Sequence, residues 1–174
     1  ISFWFRLLKN PTDHGSSFAC VYGFSPDDAT VGFHYARIND WGTEGGNDAE
    51  WQWVIRTHGG YTLGRVVTGM PDPREWHHYV IQYGRTNPGL GNLPRIWIDG
   101  VDTVNWGSDS STDQADWEEG WALTIGGPYN GGNNAAVGEY KDVIAWYQTP
   151  LWTTDRATHL YNLSSTNQDI TNIF

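Results

Sequence analysis

Apolar residues recur at every second position in a series of short segments, and stretches rich in Gly, Pro, Asn and Asp separate them. This pattern predicts β-strands joined by turns. In residues 1–8 (ISFWFRLL), Ile1, Phe3, Phe5 and Leu7 share one face. In 16–24 (SSFACVYGF), Phe18, Cys20, Tyr22 and Phe24 do so, and in 30–38 (TVGFHYARI), Val31, Phe33 and Tyr35. Residues 50–57 (EWQWVIRT) set Trp51, Trp53 and Ile55 against Glu50, Gln52 and Arg56. Further strands are expected over 61–68, over 76–84 with His77, Tyr79, Ile81 and Tyr83 on one face, over 121–127 and over 138–148. Residues 95–106 contain Asp99-Gly100, the pair that a two-residue hairpin turn favours. One helix is expected, over 155–162, with Thr153 or Thr154 as its cap. Residues 39–48 and 107–120 read as loops, the second of them polar and acidic.

The 174 residues fit one domain, placed at 1–163, with 164–174 as a polar tail or a closing strand. Aromatic residues reach 15%, including 11 Trp, and there are 21 Gly, which favours a β-sandwich or barrel. The formal net charge is -10 and the only lysines are Lys9 and Lys141. A phosphate-binding surface requires clustered Lys and Arg, so neither nucleic acid nor an anionic membrane is an expected partner. No apolar run approaches a membrane span, so no membrane insertion is expected. A single cysteine, Cys20, excludes an internal disulfide and reads as a small buried hydrophobe. The chain opens inside an apparent strand, as a mature or excised piece of a longer product would.

Five segments, in order, resemble the laminin G-like branch of the concanavalin A-like lectin and glucanase superfamily. ISFWFR resembles its early "sFWvr" strand, EWHHYVIQY (75–83) its "W-H-H-V-a-v-t-y" strand, and RIWIDG (95–100) the hairpin that follows. LTIGG (123–127) resembles "l-x-i-G-g", and GEYKDVIAWYQTPLWTTDRATHLYN (138–162) resembles the closing strand and helix, with Asp142 at the family aspartate. The resemblance implies an all-β fold: an antiparallel two-sheet jelly-roll sandwich with one sheet concave and one short helix near the C-terminus. The family usually has a strand before "sFWvr", pairing near the C-terminal end. Residues 169–174 (DITNIF) could take its place, and an unpaired edge would invite a neighbouring chain.

Such a fold hosts many functions, so function has to be argued from particular residues. Glycosidases of this superfamily carry two carboxylates on one strand as E-x-D-x-x-E, flanking the scissile bond. No strand here has that spacing, and Glu139 is followed at two residues by Lys141, so no enzyme activity is expected. His34, Tyr35 and Arg37 give only a faint version of a lyase constellation. His77 and His78 are adjacent, so a strand points them to opposite faces and they cannot share a metal. Sugars stack their C–H faces on aromatic rings and offer hydroxyls to Asp and Asn. Trp41, Trp106 and Trp117, with Asp40, Asn47, Asn130 and Asn133, are therefore the candidate glycan-binding residues. The alternative is that these tryptophans fold back as loop anchors. Calcium takes carboxylate and carbonyl oxygens from loops, which makes Asp27, Asp28, Asp48 and Asp116 candidate ligands, the alternative being that they are solvated. Many domains of the resembled family hold one calcium at a loop rim, which the resemblance implies here also. Asn162-Leu163-Ser164 matches an N-glycosylation sequon.

The expected function is a non-catalytic, lectin-like module on an extracellular, cell or virion surface, whose partner is a glycan or surface protein. The rival expectation is a structural or adhesive protein of a larger assembly, in contact with neighbouring copies. A polysaccharide-degrading enzyme of the same fold is the weakest alternative.

Overall fold

The computed structural model describes residues 1–9, 18–25, 33–39, 51–56, 62–67, 71–82, 95–103, 109–110, 122–126, 136–145 and 153–166. Its strands are β1 (Ser2–Leu7), β2 (Phe18–Ser25), β3 (Phe33–Asn39), β4 (Trp51–Arg56), β5 (Thr62–Val67), β6 (His77–Gln82), β7 (Arg95–Ile98), β8 (Val101–Asp102), β9 (Asp109–Ser110), β10 (Ala122–Ile125) and β11 (Gly138–Ile144). One helix, α1 (Thr154–Ser165), follows them. The strands form two antiparallel sheets, one ordered β11-β1-β6-β7-β8 and the other β10-β2-β3-β4-β5-β9.

Alternation accounts for one face of the five-stranded sheet. Phe3, Phe5 and Leu7 of β1 are buried, as the pattern predicted, and Phe3 stacks on its register partner Tyr79 with ring centroids 5.5 Å apart. The two sheets meet on this face. Phe3 contacts Tyr22 of β2 edge-on at 5.7 Å, and the Tyr140 hydroxyl of β11 donates to the Val21 carbonyl at 2.7 Å. Burial pushes the Tyr140 hydroxyl well above the usual tyrosine range. Strict alternation ends at Cys20–Tyr22, where a β-bulge opposes Cys20 to Arg37 and Tyr22 to Ala36. Cys20, Val21 and Tyr22 are all buried across it, Cys20 as the small hydrophobe that was expected.

The other face of the same sheet is buried as well, because α1 covers it. Val80 and Trp97 form a cluster with Ala157 and Leu160, and Trp97 Nε1 donates to Thr154 Oγ1 at 3.3 Å. Hence β6 is buried on both faces, where period-two reading assigned one. The helix begins at the expected cap: Thr153 Oγ1 accepts the Arg156 N–H at 3.3 Å. It extends beyond residue 163, through Ser165. No helix among the described residues is long and apolar enough to cross a membrane.

Asp99 and Gly100 close the β7–β8 hairpin with φ of 51° and 78°, the positive values that a tight two-residue turn requires. A Cβ on Gly100 would lie 2.8 Å from the Thr158 Cα, so α1 rests on a position that only glycine fits. Asp142, the aspartate matched to the resembled family, has φ 50° at a bulge in β11. The strand at the head of the chain, β1, is paired on both sides, by β11 and β6. Residues 169–174, expected as a replacement strand, lie outside the described residues.

Candidate functional site

Antiparallel pairing makes successive connections alternate between the two ends of the six-stranded sheet. Asn39 at the end of β3 pairs with Phe18, and Trp51 at the start of β4 pairs with Ile38 and Val67. Residues 40–50 are therefore attached at the Phe18 end. β10 runs toward that end, its pairing passing from Ala122–Ser25 to Ile125–Tyr22, after which the Gly126 N–H donates to Val21 O at 2.9 Å. Residues 127–135 leave from Gly126 and return at Ala136, whose N–H approaches Gly126 O at 3.0 Å and Cys20 O at 3.2 Å. β10 and β3 flank β2, so these two attachments are about 10 Å apart across the sheet. At the Ser25 end, residues 26–32 join β2 to β3, and residues 111–121 come back to Ala122.

All the residues chosen from sequence as glycan or metal ligands lie outside the described residues. Asp40, Trp41, Asn47 and Asp48 belong to the segment 40–50, and Asn130 and Asn133 to 127–135. Asp27 and Asp28 belong to 26–32, and Asp116 and Trp117 to 111–121. Trp106 belongs to 104–108, which links β8 of one sheet to β9 of the other. The candidates thus divide between segments attached at opposite ends of the six-stranded sheet. Among the four aspartates, Asp48 is in a segment attached at one end, whereas Asp27 and Asp28 are in a segment attached at the other, about 17 Å away along β4. Among the described residues there is no cluster of three His, Cys, Asp or Glu side chains able to hold a metal.

Besides the Arg95–Asp102 ion pair beside Trp97, the described residues hold three polar constellations that bear on function. In the first, His77 Nδ1 lies 2.6 Å from Asp99 Oδ2 and its Nε2 lies 3.1 Å from the Asp72 carbonyl. Asp99 Oδ1 accepts the His78 N–H at 2.9 Å. Both ring nitrogens of His77 are engaged, so the group ties the hairpin turn to the 71–76 segment and leaves no nitrogen for a ligand. Beside it, the Arg74 guanidinium donates to Asp72 and holds that carboxyl below its usual range.

The second constellation is Ser2 and His78, with Oγ and Nε2 2.8 Å apart. That distance suits a nucleophile and its base, but both residues are 1% exposed. His78 packs in a triangle of rings with Trp4 at 5.3 Å and Tyr161 of α1 at 6.1 Å, Trp4 and Tyr161 themselves touching at 5.7 Å, and burial pulls the His78 ring down to about 4. The rings of His77 and His78 thus reach different partners, as those of adjacent strand residues must.

The third is on the surface. Arg6 lies 5.0 Å and Lys141 4.0 Å from the Trp76 ring centroid, and Arg6 Nε donates to Glu139 at 2.6 Å. Two cations already occupy the indole, so Trp76 is not a bare stacking platform.

Sequence reasoning missed the role of Asp99 beyond its turn. Its partner His77 is 22 residues away, and only strand register brings the two together. The one available signal was the Asp-Gly pair itself. No protein-family model, curated protein or solved structure matches this chain.

Proposed function

We propose that this chain is a non-catalytic, lectin-like carbohydrate-binding module, built on a jelly-roll sandwich and displayed on an extracellular or particle surface. One observation supports the reading most. The segments carrying Asp40, Trp41 and Asn47, and Asn130 and Asn133, are attached at the same end of the six-stranded sheet, two strands apart. An indole with flanking carboxylate and amide groups is the chemistry that a sugar ring requires. Trp117 is in a segment returning at the far end, so Trp41 is the residue on which this site depends. Calcium, with Asp27, Asp28 and Asp116 as ligands, would then hold the far end together rather than touch the sugar.

The test is a glycan array probed with the purified domain, with and without a chelator, alongside Trp41→Ala. Binding to a related group of sugars, lost in Trp41→Ala and kept with chelator, is the expected result. A blank array would move the reading to a protein-contact role. A second observation favours that role: Leu8, Val137 and Ile125 are exposed at 52%, 38% and 39% near the same end, and the Leu8 N–H donates to Val137 O at 2.8 Å. Strand addition at β11 is a poor route for such contact, because Glu139, Lys141 and the bulge at Asp142 are features that block edge pairing.

A further inference from the structure

Helix α1 docks on the five-stranded sheet through a narrow apolar stripe. Among its described side chains Ala157 and Leu160 are fully buried and Tyr161 and Leu163 half-buried, while Thr154, Asp155, Arg156, Thr158, His159 and Asn162 are exposed. A single 12-residue helix is marginal in water, so α1 depends on that docking. Under it lies His78. Its Nε2 meets Ser2 Oγ, and its Nδ1 is buried with no hydrogen-bond partner.

We propose that α1 is an acid-released latch: protonation of the His78 ring, buried against Trp4 and Tyr161, frees the helix while both sheets stay folded, and uncovers Trp4 and Trp97. The protonated ring has an N–H on each nitrogen, and the Nδ1–H would have no acceptor in the docked state. The groups facing the ring do little to offset this. β1 presents Ser2 and Trp4, which carry no charge, and α1 presents Tyr161. The β7–β8 turn presents Asp99, which favours the cation, but its oxygens are already engaged by the His78 N–H and by His77. Release gives the ring to water, and what it breaks is the Val80, Trp97, Ala157 and Leu160 cluster and the Thr154–Trp97 and Thr158–Gly100 hydrogen bonds.

Burial lowers the His78 ring from its ordinary value to about 4. A base lowered in the docked state contributes docking stability that is complete above about pH 6.5 and is lost as pH falls toward 4. The docking equilibrium should therefore weaken on the order of fiftyfold between pH 7 and pH 4.5. Hydrogen exchange on the whole chain, corrected for the intrinsic pH dependence of exchange, reads this directly. The expected result is that protection at 157–165 falls by that factor while protection in β1 and β6 persists, and that His78→Phe flattens the fall. Equal loss in α1 and the sheets would overturn the latch, as would an unchanged fall in His78→Phe. Should that variant not fold, the His78 ring can be titrated by NMR in the unaltered chain. Helix release must then share its midpoint with the ring, and separate midpoints refute the proposal.

Discussion

Replacing Gly138 by alanine tests the packing where β11 meets β1. Gly138 is the register partner of Leu7, and a Cβ built on it would lie 2.7 Å from the Arg6 carbonyl oxygen and 2.9 Å from Phe5 Cζ, with Phe5 Cε2 closer still. The Phe5 ring cannot swing away easily, since it is fully buried with Tyr140 at 4.8 Å and Tyr79 at 6.5 Å. Gly138 is not among the glycines with positive φ, so alanine meets no backbone penalty there and gains about 0.4–1 kcal/mol from a less flexible unfolded chain. Overpacking costs about 1–3 kcal/mol. The net loss should be about 1–2 kcal/mol, or a fall in Tm of roughly 2–8 °C for a chain of this size. Urea unfolding followed by tryptophan fluorescence measures it. Phe5→Leu removes both clashing ring atoms, so the double variant should be less destabilised than the sum of the singles by at least about 0.5 kcal/mol. Strict additivity, or a neutral Gly138→Ala, would refute the close contact.

Other outcomes follow from the same packing. Tyr140→Phe should cost only about 1 kcal/mol by urea unfolding, because Val21 O keeps the Gly126 N–H when the hydroxyl goes. The folded Tyr140 hydroxyl is raised, so the folded state keeps its proton after the unfolded chain has released it. Stability should therefore fall as pH rises above about 10, and less so in Tyr140→Phe. Gly100→Ala combines a positive φ with a clash against the Thr158 Cα and should cost about 2–4 kcal/mol in thermal unfolding, with the helix amides losing protection first. Thr153→Ala removes the helix cap and should cost about 1 kcal/mol, read by the same method.

Much of the fold was legible because its strands alternate and its turns carry their own chemistry. Phe3, Phe5 and Leu7 announce a buried face, and Asp99-Gly100 announces a hairpin. β9 was not legible: Asp109-Ser110 has no periodic signal and is a strand only because Arg65 and Gly64 of β5 pair with it. The burial of both faces of β6 was also hidden, since it depends on α1, which lies some 75 residues further along the chain. Of the candidate site, the chosen ligands all lie outside the described residues, and only the ends at which their segments attach to the sheet are seen. Spacing along the chain does not reveal which end of a sheet a loop leaves from, and strand direction separates 26–32 from 40–50 although they are close in sequence.

The pairing of β1 has a kinetic side. Its neighbours in the sheet are His77–Val80 on one flank and Gly138–Ile144 on the other, so β1 waits for a partner made more than 130 residues later. Until β11 exists, β1 has a bare edge and Phe3 and Phe5 lack the Tyr140 ring. Contacts this distant in sequence make folding slow, and an incomplete chain exposes an apolar edge strand to self-association. A nascent chain that ends before Gly138 therefore presents β1 with one flank unpaired.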